Sequence, residues 1–517
     1  IFICEDNGLG ISVPTSEDWV EKNYNNNPNT RYIQTDGLQI IDLILKSKDA
    51  ENICRQNRKP VFLHMKTVRL MGHAGSDVEV GYKTIADIEQ NEFNDPLLHS
   101  ARILIENQCL SSDEILTLYE SNRKKVNYVF EISTDRPKLK TSNEVMSSII
   151  PNKDLKKAPN YPVDKEREKI FGKEYSRIGQ PQHMAKLINY TLFDIMLQYK
   201  NTLVFGEDVA QKGGVYNVTS DLYKQFGMRR VFNSPLDETS ILGFAMGFGH
   251  NGFVPIPEIQ FLAYFHNAED QLRGEAATLP FFSKGQFTNP MVLRVPGLAY
   301  QKGFGGHFHN DNSLSIFRDI PGVILAVPSN GLDAAMMLRT AIKEAYENGR
   351  VTVFLEPIAL YMTKDLFKPK DGKWNFIYPN IEETLSIGDF ATYGSGNALT
   401  IITYGNGLYL SLQAKIEIEK KLRKKIKVID LRWLSNINVS RIIDEIDGCS
   451  NILIVDECRR TGCHGEGLMA NLVSESNNLL NIKLHAADDS FISLGIAATA
   501  TLPSKESIIQ NALALTI

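Results

Sequence analysis

The segment Phe232–Phe261, FNSPLDETSILGFAMGFGHNGFVPIPEIQF, contains the pattern that decides the fold around it. It places one acid, Glu238, between a proline turn and an apolar helix with spaced glycines, and a buried strand follows. A helix cap is the ordinary explanation of this acid, because carboxylates are common in the first turn of a helix. A carboxylate at the mouth of a tightly packed apolar element is costly, however, unless it has a partner or a chemical role. This segment alone leaves both explanations open.

Length and composition indicate several well-buried domains and exclude two classes of function. At 517 residues, 43% of them hydrophobic, the chain can form roughly three domains of about 150 residues each. The net charge of −5 is spread over mixed charges, so we expect no nucleic-acid partner. The basic run Lys420–Lys427 closes a predicted helix and is typical of a solvated helix end. No run of about 18 apolar residues occurs, so we expect no membrane span.

The cysteines do not form a disulfide framework. Six cysteines in 517 residues are too few for one, and Cys458 and Cys463 have no second pair that would complete a zinc site. We therefore expect reduced cysteines and a cytoplasmic protein.

Short β-branched strands alternate with amphipathic helices, which predicts α/β domains with parallel sheets. Predicted strands are Pro60–Met65, Thr202–Phe205, Val323–Val327, Val351–Leu355, Leu399–Thr403, Lys425–Leu431 and Asn451–Val455, and predicted helices include Leu332–Tyr346 and Leu408–Leu422. A polar, proline-bearing stretch divides the chain, so we predict a first domain over 1–133, a linker over 134–178, a middle domain over 179–370 and a last domain over 371–517. No phosphate-binding glycine loop of the P-loop or dinucleotide type is present.

Two glycine-rich loops each carry a histidine. They are RLMGHAGSD at Arg69–Asp77 and GFGGHFHND at Gly303–Asp311. Histidine is the side chain best able to move a proton near neutral pH, although a single loop histidine is usually an ordinary surface residue. Two such loops together with Glu238 favour a common explanation.

A set of motifs in one order provides that explanation. They are GEDV at Gly206–Val209, GGVY at Gly213–Tyr216, FGMRRVFNSPLDE at Phe226–Glu238, EIQF at Glu258–Phe261, DLRWL at Asp430–Leu434 and VDECRRTG at Val455–Gly462. With them the chain resembles the thiamin-diphosphate-dependent first component of 2-oxo acid dehydrogenase complexes, of the branched-chain and pyruvate type. Residues 1–133 are similar to the second half of the family's α subunit and residues 179–517 to its whole β subunit. The resemblance implies an α–β fusion with a pyrimidine-binding domain and a C-terminal transketolase-like α/β domain.

The resemblance implies roles for individual residues. Glu238 would hydrogen-bond the aminopyrimidine ring of thiamin diphosphate and so promote loss of the thiazolium proton. Tyr264 would pack on the pyrimidine, although ordinary core packing is an equal alternative for it, and the carbonyl of Leu236 would contact the same ring. His73 and His309 match the two catalytic histidines of the acyl-transfer stage.

The first residues, ICEDNGLGIS, resemble the second half of the family's thiamin diphosphate motif. Asn7 would bind the cofactor's Mg²⁺ through its side chain and Leu9 through its carbonyl, both hard oxygen donors, and Ser12 is a further expected cofactor contact. The first half of the motif, Gly-Asp-Gly, does not occur in the sequence. The sequence as given therefore lacks one expected Mg²⁺ ligand and the strand that would carry it.

By analogy, the expected reaction is oxidative decarboxylation of a 2-oxo acid with acyl transfer to the lipoyl group of a dihydrolipoyl acyltransferase. We favour 3-methyl-2-oxobutanoate as the substrate, on the EIQF motif and the fused layout, with pyruvate as the alternative. In the family the diphosphate and pyrimidine halves of a site come from different subunits, which implies a homodimer equivalent to α2β2. We read Gly243 and Gly247 as sites of close subunit or domain packing. A transketolase-like transferase and a non-catalytic chain are the rival hypotheses.

Overall fold

The computed structural model describes residues 1–151, 156–303 and 305–516. It divides the chain into two compact units, Ile1–Lys138 and Leu139–Ile517. The predicted linker and the predicted loop Gly303–Asp311 each include residues outside this description. Among the described residues, no helix combines the length and the apolar character that crossing a membrane requires.

The first unit contains a small parallel sheet. Its strands are β1 (Phe2–Asp6), β2 (Leu9–Gly10), β3 (Val13–Pro14), β4 (Arg31–Asp36) and β5 (Val61–Lys66), and its helices are α1 (Trp19–Tyr24), α2 (Ile40–Asn52), α3 (Ile85–Phe93), α4 (Pro96–Glu106) and α5 (Ser112–Thr134). The sheet order is β1-β5-β4, with every pair parallel, while β2 and β3 form a separate antiparallel hairpin. The carboxyl ends of β1 and β5 meet where Asp6 pairs with Lys66.

The second unit begins in the stretch that the sequence predicts as a linker. This stretch contains two helices, α6 (Ser142–Met146) and α7 (Asp164–Phe171). Arg167 on α7 donates to both oxygens of the buried Asp194, at 2.9 and 3.0 Å. The charged residues of this stretch therefore include one that anchors it to the domain, which composition alone does not reveal. The predicted domain boundaries themselves stay a prediction.

A six-stranded parallel sheet forms the centre of the middle domain. Its strands are β6 (Thr202–Gly206), β7 (Val231–Asn233), β8 (Val254–Glu258), β9 (Met291–Gly297), β10 (Ile324–Ala326) and β11 (Val351–Pro357), and its helices are α8 (Met184–Gln198), α9 (Leu222–Phe226), α10 (Glu238–His250), α11 (Leu279–Phe282), α12 (Gly331–Asn348) and α13 (Ile358–Tyr361). The order is β10-β11-β9-β8-β6-β7. Most of these strands are buried along their whole length, as expected for a parallel sheet covered by helices.

A five-stranded sheet forms the last domain. It contains β12 (Ala391–Tyr393), β13 (Thr400–Thr403), β14 (Lys427–Asp430), β15 (Asn451–Arg459) and β16 (Asn481–Ala487), with helices α14 (Asn406–Leu422), α15 (Val439–Glu445), α16 (His464–Glu475) and α17 (Lys505–Thr516). The order is β12-β14-β13-β15-β16, and β12 is antiparallel to its neighbour. All the strands predicted from the sequence occur, with ends that differ by a few residues.

Candidate active site

Helix α10 presents Glu238 at its first position. Strand β7 ends at Asn233, a turn follows, and Asp237 precedes the helix with its carboxylate bonded to Ser240 rather than to a backbone N–H. Glu238 is only 6% exposed, and the Asn267 amide donates to its Oε2 at 3.2 Å. The first-turn position stabilises a negative charge through the helix dipole. Glu238 therefore lies in the first helical turn, as predicted, and is also a buried hydrogen-bond acceptor, while its chemical role stays a prediction.

A second carboxyl group lies beside Glu238. Glu207 follows strand β6, is 8% exposed, and its Oε1 has no hydrogen-bond partner among the described residues. Burial, and after it the negative charge of Glu238, raises the pKa of Glu207 to about 7. Glu207 lies within the GEDV motif, and no role was predicted for it from the sequence. The signal was present in the sequence, since an acid directly after a fully buried parallel strand lies at the edge where such sheets bind ligands.

Tyr264 and His309 lie together in the same domain. The Tyr264 hydroxyl is 3.4 Å from Nε2 of His309, and Nδ1 of His309 is 3.4 Å from the Gly305 carbonyl oxygen. The donor in each contact depends on which ring nitrogen of His309 carries the proton. The rings of His309 and Phe261 meet edge to face with centroids 4.6 Å apart. Burial, and then the charge of Glu207, raises the pKa of the Tyr264 hydroxyl.

Leu236 lies in the turn between β7 and α10, two residues before Glu238. Its side chain is 81% exposed, so it is not part of the core.

A buried ion triad lies beneath these residues. Arg294 on β9 is fully buried and donates to both oxygens of Glu356, at 2.7 and 2.8 Å, and to Glu258 at 2.5 Å. Glu258 is the first residue of the EIQF motif and also contributes to the raised pKa of Glu207. The motif therefore has a structural explanation, because Glu258 is one of the two carboxylates that pair with the buried Arg294, a charge that would be very costly to leave unpaired.

Residues from the predicted diphosphate motif form a tight turn in the first unit. The Asn7 side-chain oxygen accepts from the Leu9 backbone N–H at 3.0 Å, and Asp6 accepts from Gly8 at 2.9 Å. Asp6 also accepts from Lys66 at 2.8 Å. Burial alone would raise the pKa of Asp6, but its hydrogen bonds, that from Lys66 above all, lower it to about 2. Ser12 lies exposed in the β2–β3 hairpin, which this turn opens.

His73 lies in an exposed loop of the first unit. Its backbone N–H donates to Asp77 Oδ2 at 2.6 Å, and the Tyr82 hydroxyl donates to the same oxygen at 2.7 Å. Arg69 in turn donates to Tyr82 at 2.6 Å and to the Ile11 carbonyl at 2.7 Å. The imidazole of His73 therefore projects from a loop whose backbone is fixed by side chains.

The structure thus brings Glu238, Tyr264 and His309 together at one edge of the middle sheet, with Glu207 added. Asn7 and Leu9 share one turn in the first unit, and His73 lies in another loop of that unit. Among the described residues, no cluster of three or more His, Cys, Asp and Glu side chains is arranged to hold a metal ion. The predicted Mg²⁺ ligands are the side-chain amide oxygen of Asn7 and the backbone carbonyl oxygen of Leu9, which do not belong to the residue types of such a cluster.

Comparison with known protein families agrees with this division of residues. Residues 1–142 match the family Dehydrogenase E1 component, residues 180–363 match Transketolase, pyrimidine binding domain, and residues 388–487 match Transketolase, C-terminal domain.

Individual relatives match about three fifths of the chain. The chain is 33% identical over 324 residues to pyruvate dehydrogenase E1 component subunit beta of Bacillus subtilis (strain 168), which spans 60% of this chain and 92% of the relative. It is 33% identical over 336 residues to the protein of the same name from Staphylococcus aureus (strain Mu50), spanning 64% and 97%. A solved structure titled split gene transketolase, inactive beta4 tetramer, has a TM-score of 0.51 at 17% identity and covers 65% of this chain and 98% of its own. That likeness shows the fold alone. The chain therefore belongs to the thiamin-diphosphate-dependent 2-oxo acid dehydrogenase enzymes, as a first component (E1) with α-type and β-type parts in one polypeptide.

Proposed function

We propose that the protein decarboxylates a short 2-oxo acid and transfers the acyl group to the lipoyl group of a dihydrolipoyl acyltransferase. The observation that carries this proposal is the buried carboxylate of Glu238 in the first turn of α10, beside Glu207 and near Tyr264. When bound, thiamin diphosphate would supply the nucleophilic carbon and the electron sink for loss of CO2.

The residues present fit the pyrimidine end of that cofactor. Glu238 offers a carboxylate acceptor that is shielded from water, and Tyr264 offers a half-buried aromatic face. The unpartnered Oε1 of Glu207 is a further buried acceptor at the same place. In this proposal Glu238 accepts a hydrogen bond from the ring, Tyr264 packs on it, and the Leu236 carbonyl contacts it.

The residues of the first unit fit the diphosphate end in donor type. The Asn7 amide oxygen and the Leu9 carbonyl are hard donors of the kind that Mg²⁺ takes. Asn7 already accepts one hydrogen bond, from Leu9, which fixes the turn and leaves a second lone pair on that oxygen. We propose Asn7 and Leu9 as Mg²⁺ ligands and Ser12 as a cofactor contact.

His73 and His309 are proposed to serve the transfer step. In that step the acyl carbon bonds to one lipoyl sulfur, the S–S bond breaks, and the other sulfur takes up a proton. The electron pair left by the departing CO2 reduces the disulfide. A protonated imidazole is suited to supply the proton near neutral pH.

Two substrates are candidates. The relatives named above carry the name pyruvate dehydrogenase, which favours pyruvate. The EIQF motif favours 3-methyl-2-oxobutanoate by analogy, but the structure gives its acid a packing role. The additional methyl groups alter binding by only about 1–3 kcal/mol each, so specificity depends on the shape of the pocket.

The six described cysteines are all free, which supports a reducing, cytoplasmic location.

The test is a decarboxylation assay with a soluble electron acceptor, comparing pyruvate, 3-methyl-2-oxobutanoate and 4-methyl-2-oxopentanoate. We expect activity with one of them and a loss of about 10²-fold or more in Glu238→Gln, since a positioned acid–base group contributes that much. Glu382→Gln, an exposed acid in the same unit, is the matched control and should keep full activity. Undiminished decarboxylation by Glu238→Gln would contradict the role of that residue.

A further inference from the structure

The segment 305–313, here called the His309 segment, is held at its end by the last domain. Asp311 and Asn312 are buried, and each is bonded to a residue near the end of strand β15. Arg459 donates from Nη2 to Asp311 Oδ1 at 2.8 Å, and Asn312 donates from Nδ2 to the Glu457 carbonyl at 2.7 Å. Arg459 and Glu457, which fix the segment, both belong to the VDECRRTG motif, for which the sequence predicted no role.

Glu457 also fixes the chain that leads into the segment. Its carboxylate accepts from the Tyr300 hydroxyl at 2.6 Å and from the backbone and side chain of Asn406 at 2.8 and 2.6 Å. Glu457 is only 4% exposed, and burial raises its pKa to about 7 despite these donors. The bond from Tyr300 crosses the domain boundary, while the two bonds from Asn406 lie within the last domain, so this buried carboxyl group connects its own domain to the chain that leads into the segment.

Arg459 is itself positioned by contacts on both sides. Its Nε donates to the Ser490 carbonyl at 3.1 Å, and its guanidinium lies 5.2 Å from the centre of the Phe491 ring. The β15–β16 register shifts between Asp456 and Arg459, and such irregularities redirect side chains at the end of a strand. The other Asp311 oxygen accepts from Ser313, so the ion pair and the end of the segment form one network.

His309 depends on this framework for its position. Its ring nitrogens lie 3.4 Å from the Tyr264 hydroxyl and the Gly305 carbonyl oxygen, and its backbone N–H donates to the Gly306 carbonyl at 3.2 Å, so the position of the ring follows the course of the segment. The next residue, Asn310, is buried and bonded to Gln301 at 3.0 and 3.1 Å, and Asp311, one residue further on, is the point at which the last domain holds the segment. A displacement of about 1 Å in a reacting group can cost roughly 10²-fold in rate.

We propose that Arg459 and Glu457 are positioning residues for the acyl-transfer step, acting through Asp311 and Asn312 on His309. This inference rests on the proposed role of His309. It implies that the last domain contributes to transfer to the lipoyl sulfur, while decarboxylation at Glu238 does not require it.

The test compares two activities of the same enzyme: decarboxylation with a soluble electron acceptor, and acyl transfer to a free lipoylated domain. Arg459→Met keeps an unbranched side chain but removes the donors to Asp311 and Ser490 and the guanidinium that lies over Phe491. We expect its kcat for acyl transfer to fall about 10-fold or more, while decarboxylation stays within about twofold. Arg459→Lys, which can still pair with Asp311, should recover much of the loss. Arg460→Met, the neighbouring exposed arginine, is the matched control and should leave both activities unchanged.

His309→Ala separates failure of this inference from failure of the proposed function. If His309→Ala keeps full acyl transfer, the role of His309 is wrong. If His309→Ala loses transfer and Arg459→Met does not, the positioning inference is overturned. The double variant should be no slower than His309→Ala alone, because both changes act on one group. If Arg459→Met folds poorly, Tyr300→Phe tests the same network instead, because it removes the hydroxyl that donates to Glu457. Equal loss of both activities with a lower Tm would show a purely structural role and overturn the inference.

Discussion

At the scale of single residues, the site depends on carboxyl groups held away from water. Glu238 combines burial with a first-turn position, where the helix dipole favours its charge. Glu207 lacks such support and has an unpartnered buried oxygen, and its pKa is raised to about 7 as a result. A buried carboxyl that binds nothing within the fold is a cost to stability, which active sites commonly carry.

Replacing Glu207 by Gln tests this cost. The folded pKa of about 7 lies above the unfolded value near 4.5, so the folded state binds more protons in that window. The contribution of Glu207 to stability is therefore fully present below about pH 4.5 and is lost as pH rises through about 7. We expect Glu207→Gln to be more stable than the parent at about pH 8, by about 1–2 kcal/mol after allowing for solvent screening, with little difference at about pH 5.

Calorimetric Tm values at the two pH values measure the effect. Glu382→Gln, which changes an exposed acid, should show no such pH-dependent gain. A Glu207→Gln curve parallel to that of the parent at both pH values would show that Glu207 is not held protonated by burial.

At the scale of elements, the carboxyl ends of parallel strands position the site. Strand β6 delivers Glu207, the turn after β7 delivers Glu238, and the segments after β8 and β9 deliver Tyr264 and His309. This common edge is where open parallel sheets bind ligands, because the chain departs there in different directions and leaves a crevice. The position of β6 against β8 is thus part of the geometry of the site.

Gly206, the last residue of β6, permits strands β6 and β8 to lie close together. Its φ is +152°, and a Cβ at this position would lie 2.5 Å from the Glu258 carbonyl oxygen. We expect Gly206→Ala to destabilise the protein by about 1–3 kcal/mol and to reduce decarboxylation, since the strand must shift and carries Glu207 with it. Thermal unfolding and the decarboxylation assay measure both effects. Gly179→Ala, where an added Cβ meets nothing within 4 Å, should change neither.

At the scale of the whole molecule, residues proposed for one cofactor are distributed over two units. Asn7 and Leu9, proposed for the diphosphate end, lie in Ile1–Lys138, and Glu238 and Tyr264, proposed for the pyrimidine end, lie in Leu139–Ile517. On α10, an added Cβ at Gly243 or Gly247 would meet nothing within 4 Å, and Phe244 is 48% exposed. An apolar helix with an open face of small residues is suited to close packing against another helix.

We predict that the protein is a homodimer and that Gly243→Leu disrupts it. The substitution improves helix propensity by about 1 kcal/mol, so a loss of association would report a lost contact rather than a weakened helix. Sedimentation equilibrium should give twice the chain mass for the parent and a lower mass for Gly243→Leu, with decarboxylation lost in parallel. Gly179→Leu, at an exposed position, is the control. An active parent of single-chain mass would contradict the prediction.

The parallel α/β architecture and the family could be predicted from the sequence, because buried strands, helix starts and ordered motifs are local patterns. The first-turn position of Glu238 could be predicted for the same reason. Three features appear only once the chain is folded: Arg167 anchors the predicted linker, Glu207 Oε1 lies beside Glu238 without a hydrogen-bond partner among the described residues, and Arg459 holds Asp311 from 148 residues away. Burial and the pairing of distant charges depend on which strands become neighbours, and no local pattern contains that information.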